Sequence, residues 1–480
     1  MLLGLDLGTS SAKALLLDER GEAAAEAGAP CEVERPRPGW AETHPERWWE
    51  AMVAAVRRLP GEKRAAVRAI GLSGQMHGAV LCDAAGAPLR PAILWLDGRS
   101  AEGLSRYPPG SERTTGNAVS AGMTGPVLAW LAEHEAATLR AARWALVAKD
   151  WLRLRLTGEA ATDPSDASGT LLADRDGDWD EPLVAALGIR RDLLPPVVAS
   201  AGESGRLRES AARELGVPAG VPVAGGAGDT LSAALGSGLF REGAAQLSIG
   251  TSAQVLVLRS AWPGFSPRLN VYRSANPDGL PRWCLMAAML NGGLAIDWAR
   301  AALGLGWDEA FERAFAAGAE RSEAVFLPYL TGERTPWMDP HVRGAWAGLG
   351  PGDGAGSLMR AALEGVAFAI RAGLDALREH GASVGRLRLS GGGTVHPAWR
   401  QLLADALEAP LDAVACPNAS ARGAALLGGL AAGRFAAADL PALAPSAVPA
   451  AEPRAGSLAE RYGRFRDLYG RMAGWPGRGA

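Results

Sequence analysis

The chain has 480 residues, with 52 acidic and 49 basic side chains, a formal net charge of −3 and 48% apolar residues. So long a chain outgrows a single hydrophobic core and predicts at least two domains. So balanced a charge excludes strong attraction to nucleic acid or to an anionic membrane surface. Only Lys13, Lys63 and Lys149 are lysines, so there is no lysine-rich patch. The longest clean apolar run, Gly423 to Gly433, stops at Arg434 and is too short to span a bilayer. Asp6 and the lack of a basic leader argue against secretion, so a cytoplasmic protein is expected. The four cysteines, Cys31, Cys82, Cys284 and Cys416, lie far apart and form no CxxC pair, which predicts neither a zinc site nor a disulfide framework. Glycine, at 62 residues, is nearly twice as frequent as its usual share of about 7%.

In chain order, Leu2 to Leu7 and Ala12 to Leu17 are apolar, strand-like runs around a Gly8-Thr9-Ser10 turn, which predicts a hairpin. Val67 to Leu72 is a further strand, ending in Ser73-Gly74. The arrangement at the start recurs at Leu247-Ser248-Ile249-Gly250-Thr251-Ser252, followed by the apolar run to Leu258. The echo begins about half-way along, so the chain is divided into two related domains, residues 1–238 and 239–480, joined near Gly236 to Gly243. Leu387 to Leu389 is a strand entering Ser390-Gly391-Gly392-Gly393. Trp399, Leu402, Leu403, Ala406 and Leu407 follow at helical spacing. Phe435 to Arg454, rich in Ala and Pro, predicts an irregular linker, and Leu458 to Tyr469 an amphipathic helix. Strands alternating with helices predict an α/β fold.

Several chemistries are excluded. No lysine follows a glycine, so there is no Walker A loop. No GxGxxG follows a strand. Gly71-Leu72-Ser73-Gly74-Gln75 has Gln where a nucleophile elbow needs its second Gly. What remains is positive. The two Gly-Thr-Ser turns offer backbone N–H groups and hydroxyls to an anion. Asp6 lies in an apolar strand, where an unpaired charge is costly, and is placed to hold Mg²⁺ beside a phosphate. Val221 to Ala224 runs into Gly225-Gly226-Ala227-Gly228-Asp229. There Asp229 has two readings of equal weight, the N-cap of a helix starting at Thr230 and a catalytic base.

Together, these residues resemble the FGGY carbohydrate kinases. The stretches that carry the resemblance are Asp6 to Ser10, Gly74 to Gly78, Pro91 to Trp95 with Asp97 to Arg99, and Lys149 to Arg155. They continue with Ser165 to Thr170, Gly225 to Asp229, Ser248 to Ser252, Leu330 to Pro336 and Ser390 to Gly393. The likeness runs from the first residue to about Gly433 and again over Arg461 to Tyr469. It is nearest to the bacterial xylulose kinases of that family. The resemblance implies two actin-like (ribonuclease H-like) ATPase domains flanking a deep cleft. Sugar and the first phosphate turn belong to residues 1–238, and ATP to residues 239–480, which end in a tail helix.

Residue by residue, the resemblance makes Asp229 the base that takes the proton from a sugar hydroxyl, the 5-hydroxyl of D-xylulose. Met76, His77, Trp95 and Thr230 line the sugar, with His77 in an open turn. Thr9, Ser10 and Lys13 on one side and Gly250 and Thr251 on the other meet the phosphates of ATP. Gly391, Gly392 and Gly393 let adenosine pack on backbone, and Asp6 and Asp229 hold Mg²⁺. Glu333, Arg334 and Thr335 read best as an interdomain ion pair, and Trp48-Trp49 as core. Four departures stand out: Thr230 and Leu96 where Asn is usual, Ala253 for a Gly, and Val127 for a Lys. The first two bear on the sugar, so a kinase of another ketose or a polyol is the alternative within the family. A non-catalytic actin-like ATP-binding regulator is the alternative of another class. The oligomeric state is left open, a homodimer included.

Overall fold

The computed structural model describes residues 1–394, 396–456 and 458–474. The first half is built on strands β1 (Leu2–Leu7), β2 (Ser11–Leu17), β3 (Ala23–Pro30), β4 (Ala69–Gly74), β5 (Glu203–Arg206) and β6 (Pro222–Ala224). They lie in the order β3-β2-β1-β4-β6-β5, with a two-residue segment, Ala227–Gly228, also paired to β4. The β1–β2 hairpin is antiparallel and sets Asp6 opposite Lys13, while β4 runs parallel to β1 and sets Ser73 opposite Asp6. Every residue of β1 is buried, which fits its apolar run and leaves Asp6 as the one charge within it. Helix α1 (Pro45–Arg57) has Pro at its first position and buries Trp48, Trp49 and Met52, the core role predicted for the tryptophan pair.

Three more helices of this half matter below: α2 (Ala148–Thr157), α3 (Pro164–Gly169) and α4 (Asp229–Gly236).

The second half carries β7 (Ala245–Ile249), β8 (Ala253–Arg259), β9 (Asn270–Arg273), β10 (Trp283–Met289), β11 (Leu387–Ser390), β12 (Leu411–Val414) and β13 (Ala447–Ala451). Their order is β9-β10-β8-β7-β11-β12-β13. Apart from the additional edge strand β9, this repeats the first sheet with the same parallel and antiparallel senses. Its helices include α5 (Ala355–Glu379), α6 (Pro397–Leu407), α7 (Ala419–Ala431) and α8 (Ala459–Met472). Phe435 to Arg454 is a correction. Instead of an irregular linker it contains a 3₁₀ segment, Ala437–Leu443, and the strand β13. An edge strand needs only one ladder of bonds, so its Ala- and Pro-rich composition does not prevent pairing.

A third cluster of apolar side chains joins the halves beneath the cleft, including Leu17, Leu231, Leu235, Met286, Ala425 and Leu426. Its centre is α7, which belongs to the second half in sequence but packs on the first sheet. A Cβ on Gly4 would lie 1.8 Å from the Ala421 carbonyl, and one on Gly71 1.6 Å from that of Ala424. Helix and sheet backbones therefore touch where these glycines stand, and part of the glycine excess is spent there. Among the described residues, no helix is long and apolar enough to cross a membrane.

Candidate active site

Between the sheets lies a cavity of about 230 Å³. The first half contributes Thr9, Met76, His77, Trp95, Asp229 and Thr230 to its walls. The second half contributes Gln254, Arg268, Asn270, Tyr272 and Arg334. A second space of about 190 Å³ shares Asp229, Thr230 and Gln254 and continues along Gln246, Ser248 and Ser420. Asp229 thus stands where the two spaces meet.

Asp229 is the first residue of α4, and the capping position is Gly228. The N-cap reading is therefore corrected by one residue. The Asp229 Oδ1 instead accepts from the Thr230 amide at 2.6 Å and the Thr230 hydroxyl at 3.2 Å. Burial, reinforced by the negative charge of Asp6, pushes its carboxyl up to about 7 against those two bonds. Asp6 lies on β1 and accepts from the Ser73 hydroxyl at 2.9 Å. Burial raises its carboxyl too, opposed by that hydrogen bond and by Lys13. Among the described residues neither acid forms an ion pair. A half-buried carboxyl raised by a buried neighbouring one marks a place that a cation would suit.

The turn carrying His77 leaves its ring half-buried in the cavity wall. Its backbone is left-handed (φ 67°), and Nδ1 lies 2.6 Å from the Gly169 carbonyl oxygen. A carbonyl only accepts, so this nitrogen carries the proton and Nε2 is left as an acceptor. Burial depresses the ring to about 4, which keeps it neutral at physiological pH. The ring of Tyr272, reaching in from β9, lies 6.1 Å away. The Trp95 indole donates to the Thr9 hydroxyl at 2.9 Å, and Thr9 donates to Gln75 Oε1 at 3.2 Å. One cavity wall is thereby tied to the first Gly-Thr-Ser turn. Leu96 is 39% exposed and absent from the cavity lining, so its departure does not reach the cavity.

The first turn is closed by Gly8 N–H donating to the Ser11 carbonyl at 3.0 Å, and the second by Gly250 N–H donating to the Ser252 carbonyl at 2.9 Å. Gly292 and Gly293 clasp the second turn, donating to the carbonyls of Thr251 (3.1 Å) and Gly250 (2.8 Å). Nothing in the local sequence pattern of residues 291–293 pointed to that contact. Ala253 is 1% exposed in β8, so its methyl enters the core instead of narrowing the turn. Val127 is also fully buried.

Ser10, Lys13, Gly250, Thr251 and Gly391 to Gly393 do not line either space. Gly391 to Gly393 pass beside Ile249, next to the second turn, where a Cβ on Gly391 (φ +90°) would lie 2.4 Å from the Ile249 carbonyl.

The predicted interdomain ion pair at Glu333 and Arg334 is overturned. Glu333 is 2% exposed and accepts from the backbone N–H groups of Leu290 (2.6 Å) and Arg334 (2.8 Å). Burial pushes its carboxyl up to about 7, and these bonds oppose the shift. With Glu333 committed to backbone, the Arg334 side chain is left in the cavity wall. Gln254, Arg268, Asn270 and Tyr272 escaped sequence reading as well. Gln254, Asn270 and Tyr272 lie in strands of ordinary pattern and Arg268 in the turn before β9, and only tertiary packing brings them to the cleft.

Residues 1–236 match the N-terminal domain, and residues 245–432 the C-terminal domain, of the FGGY family of carbohydrate kinases. The chain is 40% identical over 420 residues to the xylulose kinase of Escherichia coli K12, covering 86% of each protein. It is 37% identical over 411 residues to that of Streptomyces rubiginosus, covering 84% of this chain and 82% of the relative. The crystal structure of xylulose kinase from Rhodospirillum rubrum superposes with a TM-score of 0.90 at 30% identity, covering 99% of both chains. The doubled sheet, the acids at its cleft and these likenesses agree, and the chain belongs to the FGGY family of carbohydrate kinases, phosphotransferases that use ATP and an alcohol-group acceptor.

Proposed function

We propose that the protein transfers the γ-phosphate of MgATP to the 5-hydroxyl of D-xylulose, with Asp229 as the base. The observation that carries this reading is the placement of Asp229, with its raised carboxyl, where the two spaces of the cleft meet. A base that titrates near 7 is half-ionised at neutral pH and still basic enough to take a hydroxyl proton as the phosphoryl group arrives. The likeness to the xylulose kinases named above supports the choice of sugar.

In this reading Met76, His77, Trp95 and Thr230 hold the sugar, with His77 Nε2 accepting from a hydroxyl. The turns at Thr9-Ser10 and Gly250-Thr251 embrace the transferring group from opposite halves, and Lys13 adds positive charge beside the first. Gly391 to Gly393 leave room for adenosine. Phosphoryl transfer asks mainly for such positioning and charge neutralisation. The residues present fit Mg²⁺: two mutually repelling carboxylates, Asp6 and Asp229, lie beside phosphate-binding turns, and Mg²⁺ commonly takes one or two carboxylates plus phosphate oxygens. When bound, the ion neutralises charge on the phosphates. ATP and a free ketose are cytoplasmic metabolites, and we place the protein there.

Thr230, with one hydroxyl in place of an amide, favours a second reading as a kinase of a related ketose or polyol. Comparing kcat/KM across pentuloses, hexuloses and polyols with MgATP separates the two. D-xylulose is expected to give the highest value, and a higher value for another acceptor overturns the assignment.

A further inference from the structure

Two sequence stretches, Lys149 to Arg155 and Ser165 to Thr170, take no part in the reaction described so far. The fold brings them together behind the glycine turn that carries Asp229. Lys149, Asp150, Arg153, Asp163 and Asp166 are each 1% exposed or less. Lys149 Nζ lies 2.6 Å from Asp150, 3.1 Å from Asp163 and 3.2 Å from Asp166, and Arg153 lies 3.0 Å from Asp150. Two cations thus face three carboxylates. Neither Asp166 oxygen accepts a hydrogen bond. Burial, together with Asp163 and Asp150, holds Asp166 well above the usual carboxylate range despite Lys149.

Removing five ionisable groups from water is expensive and contributes little stability in itself. Their contacts show what the expense secures. The Gly225 carbonyl accepts from Lys149 Nζ at 3.4 Å and from the Arg153 guanidinium. The Gly228 amide donates to the Ser165 hydroxyl at 3.0 Å. That hydroxyl donates to Asp163 at 2.7 Å, as does the hydroxyl of Ser200, also at 2.7 Å. Both ends of the turn Gly225 to Gly228 are therefore held, and Asp229 is the next residue. A turn with glycine at three of four positions has wide conformational freedom unless something outside it restricts that freedom. The same short helix, α3, also holds His77 through the Gly169 carbonyl, and it receives the Arg273 amide of β9 on the Ser168 hydroxyl at 3.0 Å.

We propose that the buried cluster of Lys149, Asp150, Arg153, Asp163 and Asp166, acting through Ser165, is a positioning device that fixes Asp229 against the sugar hydroxyl. This rests on the reading of Asp229 as the base. Ser165 is a positioning residue, since it touches neither substrate.

The test compares Ser165→Ala, Ser165→Thr and Asp229→Asn in the full-length enzyme. Ser165→Ala removes the clamp on Gly228 while leaving the Gly169 carbonyl to orient His77. Its kcat is expected to fall roughly 10- to 100-fold, in keeping with the rate cost of a misplaced catalytic group. Its KM for D-xylulose and its ATP affinity stay within about twofold, and Ser165→Thr, which keeps a hydroxyl, recovers most of the rate. Unchanged kcat in Ser165→Ala overturns the proposal. So does a parallel loss of kcat, sugar KM, ATP affinity and Tm, which would mark a merely structural serine. The two readings fail differently: an active Asp229→Asn removes the base itself, whereas an inactive Asp229→Asn beside a fully active Ser165→Ala removes only the positioning device.

Discussion

The two halves repeat one sheet and one strand-turn-strand entry, yet place opposite chemistry at matching positions. In the first half Asp6 stands opposite Lys13 and Ser73; the corresponding residues in the second are Ser248, opposite Gln254 and Ser390. Ser73 donates to a carboxylate at 2.9 Å, whereas Ser248 and Ser390 share one hydroxyl–hydroxyl bond at 2.5 Å. The same geometry is charged on one side of the cleft and neutral on the other. A neutral turn can receive a polyanion without repelling it, and a carboxylate-bearing turn needs a cation to do so. The repeated sheet thus carries two similar turns whose neighbouring residues differ in charge.

The sheet faces that meet α7 and the end of α4 differ in the same way. Gly4 and Gly71 let α7 lie on the backbone of the first sheet. Their counterparts are Gln246 and Arg388, and Arg388 donates to the Ser237 and Gly238 carbonyls at the end of α4, at 2.7 and 2.8 Å. One half admits a helix by removing side chains, and the other holds a helix end with a long one.

This contrast can be broken most severely at Asp229. Asp229→Asn is expected to lower kcat by about 10²- to 10⁴-fold with nucleotide affinity unchanged, as measured by steady-state kinetics and calorimetry. Next comes the matched pair of turns. Asp6→Asn is expected to cost on the order of 100-fold and to raise the Mg²⁺ concentration needed for half-maximal rate, because a carboxylate ligand is lost. Ser248→Ala, at the neutral counterpart, loses only neutral hydrogen bonds, to Gln246 and Ser390, and should cost less than about tenfold. Equal losses in the two variants would erase the asymmetry.

Gly71→Ala forces a methyl into the Ala424 carbonyl and is expected to lower stability by about 3 kcal/mol in denaturant titration.

The pH dependence sharpens the comparison further. Asp229 must lose its proton to act, so kcat/KM should rise about tenfold per unit below pH 7 and level off above it. The linkage to stability runs the other way. A carboxyl raised from the ordinary range to about 7 binds its proton more tightly when folded. Its contribution is therefore complete at low pH and is lost as pH rises through about 7. Asp229→Asn is expected to remove that part of the decline in Tm between pH 5 and pH 8. The smallest effect is expected at Trp95→Phe. It deletes the indole bond to Thr9 while keeping an aromatic wall, and a change of less than about tenfold in sugar KM is foreseen.

Local features were legible in the sequence. The hairpins, their Gly-Thr-Ser turns and the strand entering Gly391 depend on residues next to one another, and alternation and turn chemistry report them directly. The family-level pattern likewise marked Met76, His77, Trp95 and Asp229, which the fold gathers around one cavity. Features that hang on distant partners were not legible. Glu333 reads as half of an ion pair until the Leu290 and Arg334 amides are seen to occupy its carboxylate. The strand β13 is invisible in an Ala- and Pro-rich stretch because β12 supplies the pairing. Nothing beside His77 in the chain shows that the Gly169 carbonyl, 92 residues away, holds its ring.

The most direct test of the central claim is the identity of the product. The purified protein, incubated with D-xylulose and MgATP, is expected to release one ADP per phosphomonoester formed, with phosphorus and carbon NMR placing that ester on C5. ADP formed without a sugar phosphate, or an ester at another carbon, would contradict the account.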